Sequence, residues 1–168
     1  QKICLGGFSD GLYWAKQEDT GIDFIETNVG DINVVNKMRE YDCSFGGESS
    51  GHIIFNDFKD FFYGDSMITL INVIKLLLNS KKSLFELQKH IHKIPSELIN
   101  IRVNNKSNFL SNKKNISVIS HTKEQIGSNG RLLVRPSGTE NVIRFLIEHT
   151  EKREINVLKN YLYDNIEI

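Results

Sequence analysis

Between Arg131 and Glu148 the chain has to reverse on itself. The run RPSGTE, Arg135 to Glu140, sets Pro136 and Gly138 between two β-prone stretches, Arg131 to Val134 and Val142 to Glu148, so a tight turn joins two strands. The second stretch alternates, with Ile143, Phe145 and Ile147 on one face and Arg144, Leu146 and Glu148 on the other. A small sheet with one apolar face results, and helices have to back it.

The same turn carries chemistry. Arg135 offers a planar, permanently charged fork that matches two phosphate oxygens, and Ser137 and Thr139 add hydroxyl donors. Gly138 removes the Cβ that would block close approach, and Pro136 fixes one dihedral in advance. Successive backbone N–H groups in such a turn can point into one anion-binding concavity. Arg144 can return toward the loop as a second cation. The alternative is an ordinary hairpin turn with two solvated arginines, and the convergence of Arg, Ser, Gly and Thr within five positions favours the phosphate site.

A second Gly-rich loop, GGESSGH at Gly46 to His52, suits a sugar. An ionised Glu48 can accept from two adjacent hydroxyls, Ser50 can supply a donor, and paired glycines let backbone approach a ring closely. Glu48 also reads as an exposed loop carboxylate, and His52 equally as a direct ligand or as a partly buried histidine satisfied by backbone. The lysine of a nucleotide P-loop is missing.

VRPSGTENVIRFLIE resembles the phosphate-binding signature of the α-D-phosphohexomutases, and GGESSGHII resembles their sugar loop in the form typical of the bacterial phosphoglucosamine mutases. GDSMITLINVIKLL resembles the helix that follows that loop, and ETNVGD at Glu26 to Asp31 another active-site loop. The likeness implies part of a mixed α/β domain 3, residues 1–92 and incomplete at its N-terminus, then a small C-terminal α+β domain 4 of the TATA-box-binding-protein-like type, residues 93–168. It further implies that Glu48, Ser50 and His52 bind sugar, and that Arg135, Ser137, Gly138, Thr139 and Arg144 bind the phosphate that does not react.

The reaction implied by the resemblance interconverts glucosamine 6-phosphate and glucosamine 1-phosphate through a phosphoserine and a 1,6-bisphosphate, toward UDP-N-acetylglucosamine and cell-wall precursors. A mutase for mannose or glucose phosphates and a noncatalytic phosphosugar-binding module are the alternatives. The phosphorylated serine of a TASHNP-like loop and the magnesium held by a DGDxDR-like loop belong earlier in such enzymes, and neither motif occurs here. Asp57, Asp60 and Asp65, scattered among aromatics, read as solvated carboxylates and not as Mg2+ ligands. The chain starts at Gln1 and reads as a fragment with no catalytic residue and no metal ligand of its own, inactive alone. Its expected partners are a phosphosugar and the N-terminal domains of the same protein, with a homodimer left open. ETNVGD departs from the pattern at Ile32, where arginine is usual, so that loop's binding role is not carried over and Gly30 with Asp31 makes a tight turn.

Charge is balanced, 21 basic against 21 acidic residues, which gives no field for nucleic acid or for an anionic membrane. Cys4 and Cys43 lack metal or CxxC spacing and read as reduced thiols of a cytoplasmic protein. The most apolar run, Met67 to Leu78, is too short to span a bilayer.

Elsewhere the pattern predicts strands at Lys2 to Leu5, Phe24 to Thr27, His52 to Phe55 and Leu98 to Val103, and helices at Leu12 to Gln17 and Val34 to Tyr41. Ser66 to Asn79 reads as a buried helix, and Ser83 with Glu86 as a capping box opening a helix through about His92. Asn104 to Asn115 reads as a surface loop, Ile116, Ile119 and Ile126 as a helical stripe, and Glu151 to Tyr163 as an amphipathic helix presenting Ile155, Leu158 and Leu162.

Overall fold

The computed structural model describes residues 2–6, 21–58, 61–89 and 94–168. The helix expected at Leu12 to Gln17 and the stretch toward His92 lie outside them. The chain divides into two compact units, Gln1–Lys93 and Ile94–Ile168.

The first unit is built on a five-stranded sheet, β1 (Lys2–Gly6), β2 (Asp23–Thr27), β3 (Phe45–Gly47), β4 (Ile53–Phe58) and β5 (Phe61–Tyr63), in the order β2-β1-β3-β4-β5. β1 runs parallel to both β2 and β3, and the remaining pairs are antiparallel. Helix α1 (Asp31–Tyr41) lies against the sheet and buries Val34 and Met38 with Cys4, Cys43 and Ile54. Helix α2 (Ser66–Ser80) starts at Asp65, whose carboxylate caps the N–H groups of Met67 and Ile68 at 2.8 and 3.0 Å. Asp65 is thus a cap, a more specific role than a solvated carboxylate. The capping box of Ser83 and Glu86 opens α3 (Leu84–Gln88) as expected.

Helix α2 corrects one expectation. It forms, but none of its residues is buried, and Met67, Leu70, Ile71, Ile74, Leu76 and Leu78 are all exposed. Apolarity all round a helix tells of a partner on every side, and the described residues do not supply those partners.

The second unit has a three-stranded antiparallel sheet, β6 (Ser96–Arg102), β7 (Gly130–Pro136) and β8 (Val142–His149), ordered β6-β8-β7. Helices α4 (Lys106–Ser111), α5 (Lys113–Ile126) and α6 (Lys152–Asn165) supply the apolar cover. Ile99, Ile101, Leu132, Ile143, Phe145 and Ile147 from the strands meet Phe109, Val118, Ile126, Ile155, Leu158 and Leu162 from the helices. The alternation read in β8 and the stripe read in α6 are both observed.

Asn104 to Asn115 is not a loop. Asn105 and Asn112 cap α4 and α5, accepting the N–H of Asn108 at 3.0 Å and of Lys114 at 2.8 Å, and Phe109 anchors α4 in the core. Asn115 is fully buried and binds the carbonyls of Phe109 and Glu167. The stripe of α5 is Asn115, Val118, Thr122 and Ile126, while Ile116 is exposed. Two polar residues in that stripe satisfy themselves on backbone, and for that reason a search for apolar spacing misplaces it.

Candidate functional site

In the first unit the hairpin between β3 and β4 carries GGESSGH. Its turn is closed by Glu48 N–H donating to the His52 carbonyl at 2.9 Å and Gly51 N–H to the Glu48 carbonyl at 3.1 Å, with Gly51 at φ +94°. The Glu48 side chain is only 8% exposed. Its Oε1 accepts the backbone N–H of Gly30 at 2.6 Å, so the ETNVGD segment is more than a tight turn: it holds the glutamate of the other loop. Oε2 points toward His52 Nδ1, 4.0 Å away, and that nitrogen lies 3.4 Å from Ser50 Oγ. Ser50 and His52 are both exposed. Glu48 is therefore not an exposed carboxylate, nor is His52 a partly buried histidine.

The paired glycines also play another part than close approach to a ring. A Cβ on Gly46 would sit 2.6 Å from Met38 Sδ and 2.7 Å from Val34 Cγ1, and one on Gly47 would lie 3.1 Å from the His52 carbonyl. They allow α1 onto the sheet and the hairpin to close. Ile32 is exposed and lines, with Asp31, Val35, His52, Ile54 and Phe62, a cleft of about 260 Å3 beside the loop.

In the second unit RPSGTE forms the β7–β8 connection. Ser137 N–H donates to the Val142 carbonyl at 2.9 Å and Glu140 N–H to Ser137 Oγ at 3.3 Å, and Ser137 is buried. Arg135 and Arg144 are register partners across the ladder. One Arg144 nitrogen donates to Glu140 Oε2 at 3.2 Å, while its buried Nε has no partner among the described residues. Gly138 has an ordinary φ, and a Cβ placed there would meet nothing within 4 Å. Among the described residues nothing requires a glycine at that position. The N–H groups of Gly138 and Thr139 find no acceptor among the described residues.

One side chain at this loop escaped the sequence reading. Lys106, at the start of α4, donates from Nζ to the carbonyls of Ser137 at 2.8 Å and Glu140 at 3.2 Å. It sits in the stretch taken for a polar loop, and only a recognised asparagine cap at position 105 would have put it on a helix facing the turn.

Each unit also holds a buried pair of side chains. Glu148, 1% exposed, pairs with Arg131. Cys4 and Cys43 are free and buried with their sulfurs 3.2 Å apart, and the Cys4 thiol is pushed up to about 12, by burial first and by its Cys43 partner second. Among the described residues no group of three or more His, Cys, Asp or Glu side chains converges. No described helix is long and apolar enough to cross a membrane.

Comparison with known proteins covers both units. Residues 12–94 match "Phosphoglucomutase/phosphomannomutase, alpha/beta/alpha domain III", and residues 98–164 match "Phosphoglucomutase/phosphomannomutase, C-terminal domain". The phosphoglucosamine mutase of Natranaerobius thermophilus is 41% identical over 152 residues, which covers 90% of this chain and 34% of that protein. The phosphoglucosamine mutase of Buchnera aphidicola subsp. Baizongia pistaciae is 37% identical over 165 residues, 98% of this chain and 35% of that protein. The chain thus spans about a third of the length of the curated relatives it matches. Among solved structures, Aspergillus fumigatus N-acetylphosphoglucosamine mutase in complex with GlcNAc-6P and magnesium superposes with a TM-score of 0.76 at 16% identity, over 98% of this chain and 38% of that one. An N-acetylglucosamine-phosphate mutase in its product complex gives 0.77 at 19% identity, over 99% of this chain and 38% of that one. At such identities the likeness concerns the fold. With both units matched in order along the sequence, the chain belongs to the phosphoglucomutase/phosphomannomutase family and carries that family's domain III and C-terminal domain.

Proposed function

We propose that this chain is the substrate-holding part of a phosphoglucosamine mutase, with a loop for the sugar ring in the first unit and a loop for the phosphate that does not react in the second. The observation that carries the reading is the glycine at position 138, which nothing among the described residues requires, with its own N–H and that of Thr139 finding no acceptor among them, and with Arg135, Ser137 and Thr139 beside it in sequence. An anion over that glycine would receive both amides and the guanidinium fork together. Glu48, fixed through one oxygen by Gly30, keeps lone pairs for adjacent ring hydroxyls, with Ser50 and His52 exposed beside it.

In this reading the nucleophile is a phosphoserine in another part of the protein. It donates its phosphoryl group to glucosamine 6-phosphate, and the bisphosphate returns the other group to the serine. Magnesium, when bound to the rest of the enzyme, neutralises charge on the transferring group. The residues of this chain contribute orientation, since binding energy at the far phosphate can fix the reacting end. The reaction is cytoplasmic, and the partner is the remainder of the same protein.

Calorimetric titration of the 168-residue chain with glucosamine 6-phosphate, mannose 6-phosphate and inorganic phosphate tests the reading. Binding of glucosamine 6-phosphate that Arg135→Ala abolishes is expected. Equal affinity for mannose 6-phosphate would favour the mannose and glucose mutases, and affinity unchanged in Arg135→Ala would defeat the phosphate site. Turnover is expected only when the serine-bearing part is present, so mutase activity of the purified chain alone would show that it holds its own nucleophile.

A further inference from the structure

Lys106 stands where helix electrostatics does not want it. It is the first residue of α4, a helix with no acidic residue in its first turn, and a cation at a helix N-terminus is disfavoured by the dipole. Its Nζ is spent on the carbonyls of Ser137 and Glu140, three residues apart and on either side of Gly138 and Thr139. A residue that breaks a local rule while making a well-formed tertiary contact marks a place where something other than the local element is being served.

Resting on the reading of RPSGTE as the phosphate loop, we propose that Lys106 is a positioning residue for phosphate. The ammonium gathers the Ser137 and Glu140 carbonyls on one side; the trans peptide turns the Gly138 N–H away from the cation, and among the described residues neither that group nor the Thr139 N–H has an acceptor. Polarisation of the Ser137 carbonyl by the ammonium strengthens the donor of the same peptide, the Gly138 N–H. The positive charge stays with the loop whether or not Glu140 is paired to Arg144. Lys106 acts through the loop, and it is not itself a phosphate ligand.

The test is the affinity of the 168-residue chain for inorganic phosphate in four variants, with thermal melting followed in parallel. Lys106→Met is expected to weaken phosphate binding about tenfold, the size of one lost hydrogen bond to a charged group, with Lys106→Arg recovering most of the loss. Lys159→Met removes an ion pair of similar length, 2.7 Å to Glu97, away from the loop, and its affinity should equal the parent's. A purely structural role would make Lys106→Met and Lys159→Met alike in binding as well as in melting, and that result overturns the proposal. If Lys106→Met does not fold, Lys106→Gln, which keeps one donor and no charge, takes its place, and parent-like affinity there overturns the proposal too. Arg135→Ala separates the two ideas: lost binding there with parent-like Lys106→Met sinks only the role of Lys106, whereas binding that survives Arg135→Ala removes the phosphate loop and Lys106 with it.

Discussion

Gly30 donates its backbone N–H to Glu48 Oε1 at 2.6 Å, across 18 residues of sequence, and so one loop of the first unit sets the carboxylate of another. Gly6 closes the opposite side: a Cβ there would lie 2.8 Å from the same oxygen and 3.0 Å from Glu48 Cγ. Gly6→Ala should therefore push the carboxylate off its mark at a stability cost of about 1 kcal/mol. Glucosamine 6-phosphate should bind about tenfold more weakly while inorganic phosphate binds as before, which paired titrations would read.

Gly138→Ala makes the opposite prediction for stability. Since none of the described residues lies within 4 Å of the added Cβ, urea unfolding should change by less than about 0.5 kcal/mol, yet phosphate affinity should fall about tenfold. A loss in both would mean that the glycine serves the fold.

Glu140 pairs with Arg144, which the proposed phosphate site would need. The pair is 3.2 Å long, with side chains 29% and 63% exposed, so it is worth little by itself. Replacing Glu140 with Gln should release the guanidinium and tighten phosphate binding by about two- to fivefold, most visibly at low salt.

The Arg131–Glu148 pair is different in kind. Glu148 is 1% exposed and one of its oxygens has no hydrogen-bond partner among the described residues, so Arg131→Met would strand a buried charge. A destabilisation of about 3 to 5 kcal/mol is expected from urea unfolding, with a smaller loss when Glu148→Leu accompanies it.

Cys4 gives a pH test. An exposed thiol ionises near pH 9, and burial first and Cys43 second hold Cys4 back to about 12. Between those values the unfolded chain sheds a proton that the folded chain keeps, so stability is full below about pH 9 and declines as pH rises through the window. Iodoacetamide at pH 8 should leave Cys4 unmodified until denaturant is added, and rapid labelling of the native chain would contradict its burial.

What could be read from the residues alone followed from periodicity and caps. β8 shows its core face because Ile143, Phe145 and Ile147 recur at every second position, with Arg144, Leu146 and Glu148 on the other side, and Ser83 with Glu86 announces α3. Asn104 to Asn115 reads as a loop because asparagine is at once a loop residue and a preferred helix cap, and the buried Phe109 distinguishes the two. In α2 composition disclosed the helix, but burial is a property of neighbours and not of the helix itself. The glycine positions were legible, while their reasons were not: whether a missing Cβ makes room for a ligand or for a methionine is decided by what packs there.

Gly46 has a consequence for anyone who would move the sugar loop to another scaffold. Because Val34 and Met38 occupy the volume its side chain would need, GGESSGH cannot be grafted as seven residues. The unit of transplantation is the loop together with α1, and Gly30 must travel with it so that Glu48 arrives held in place.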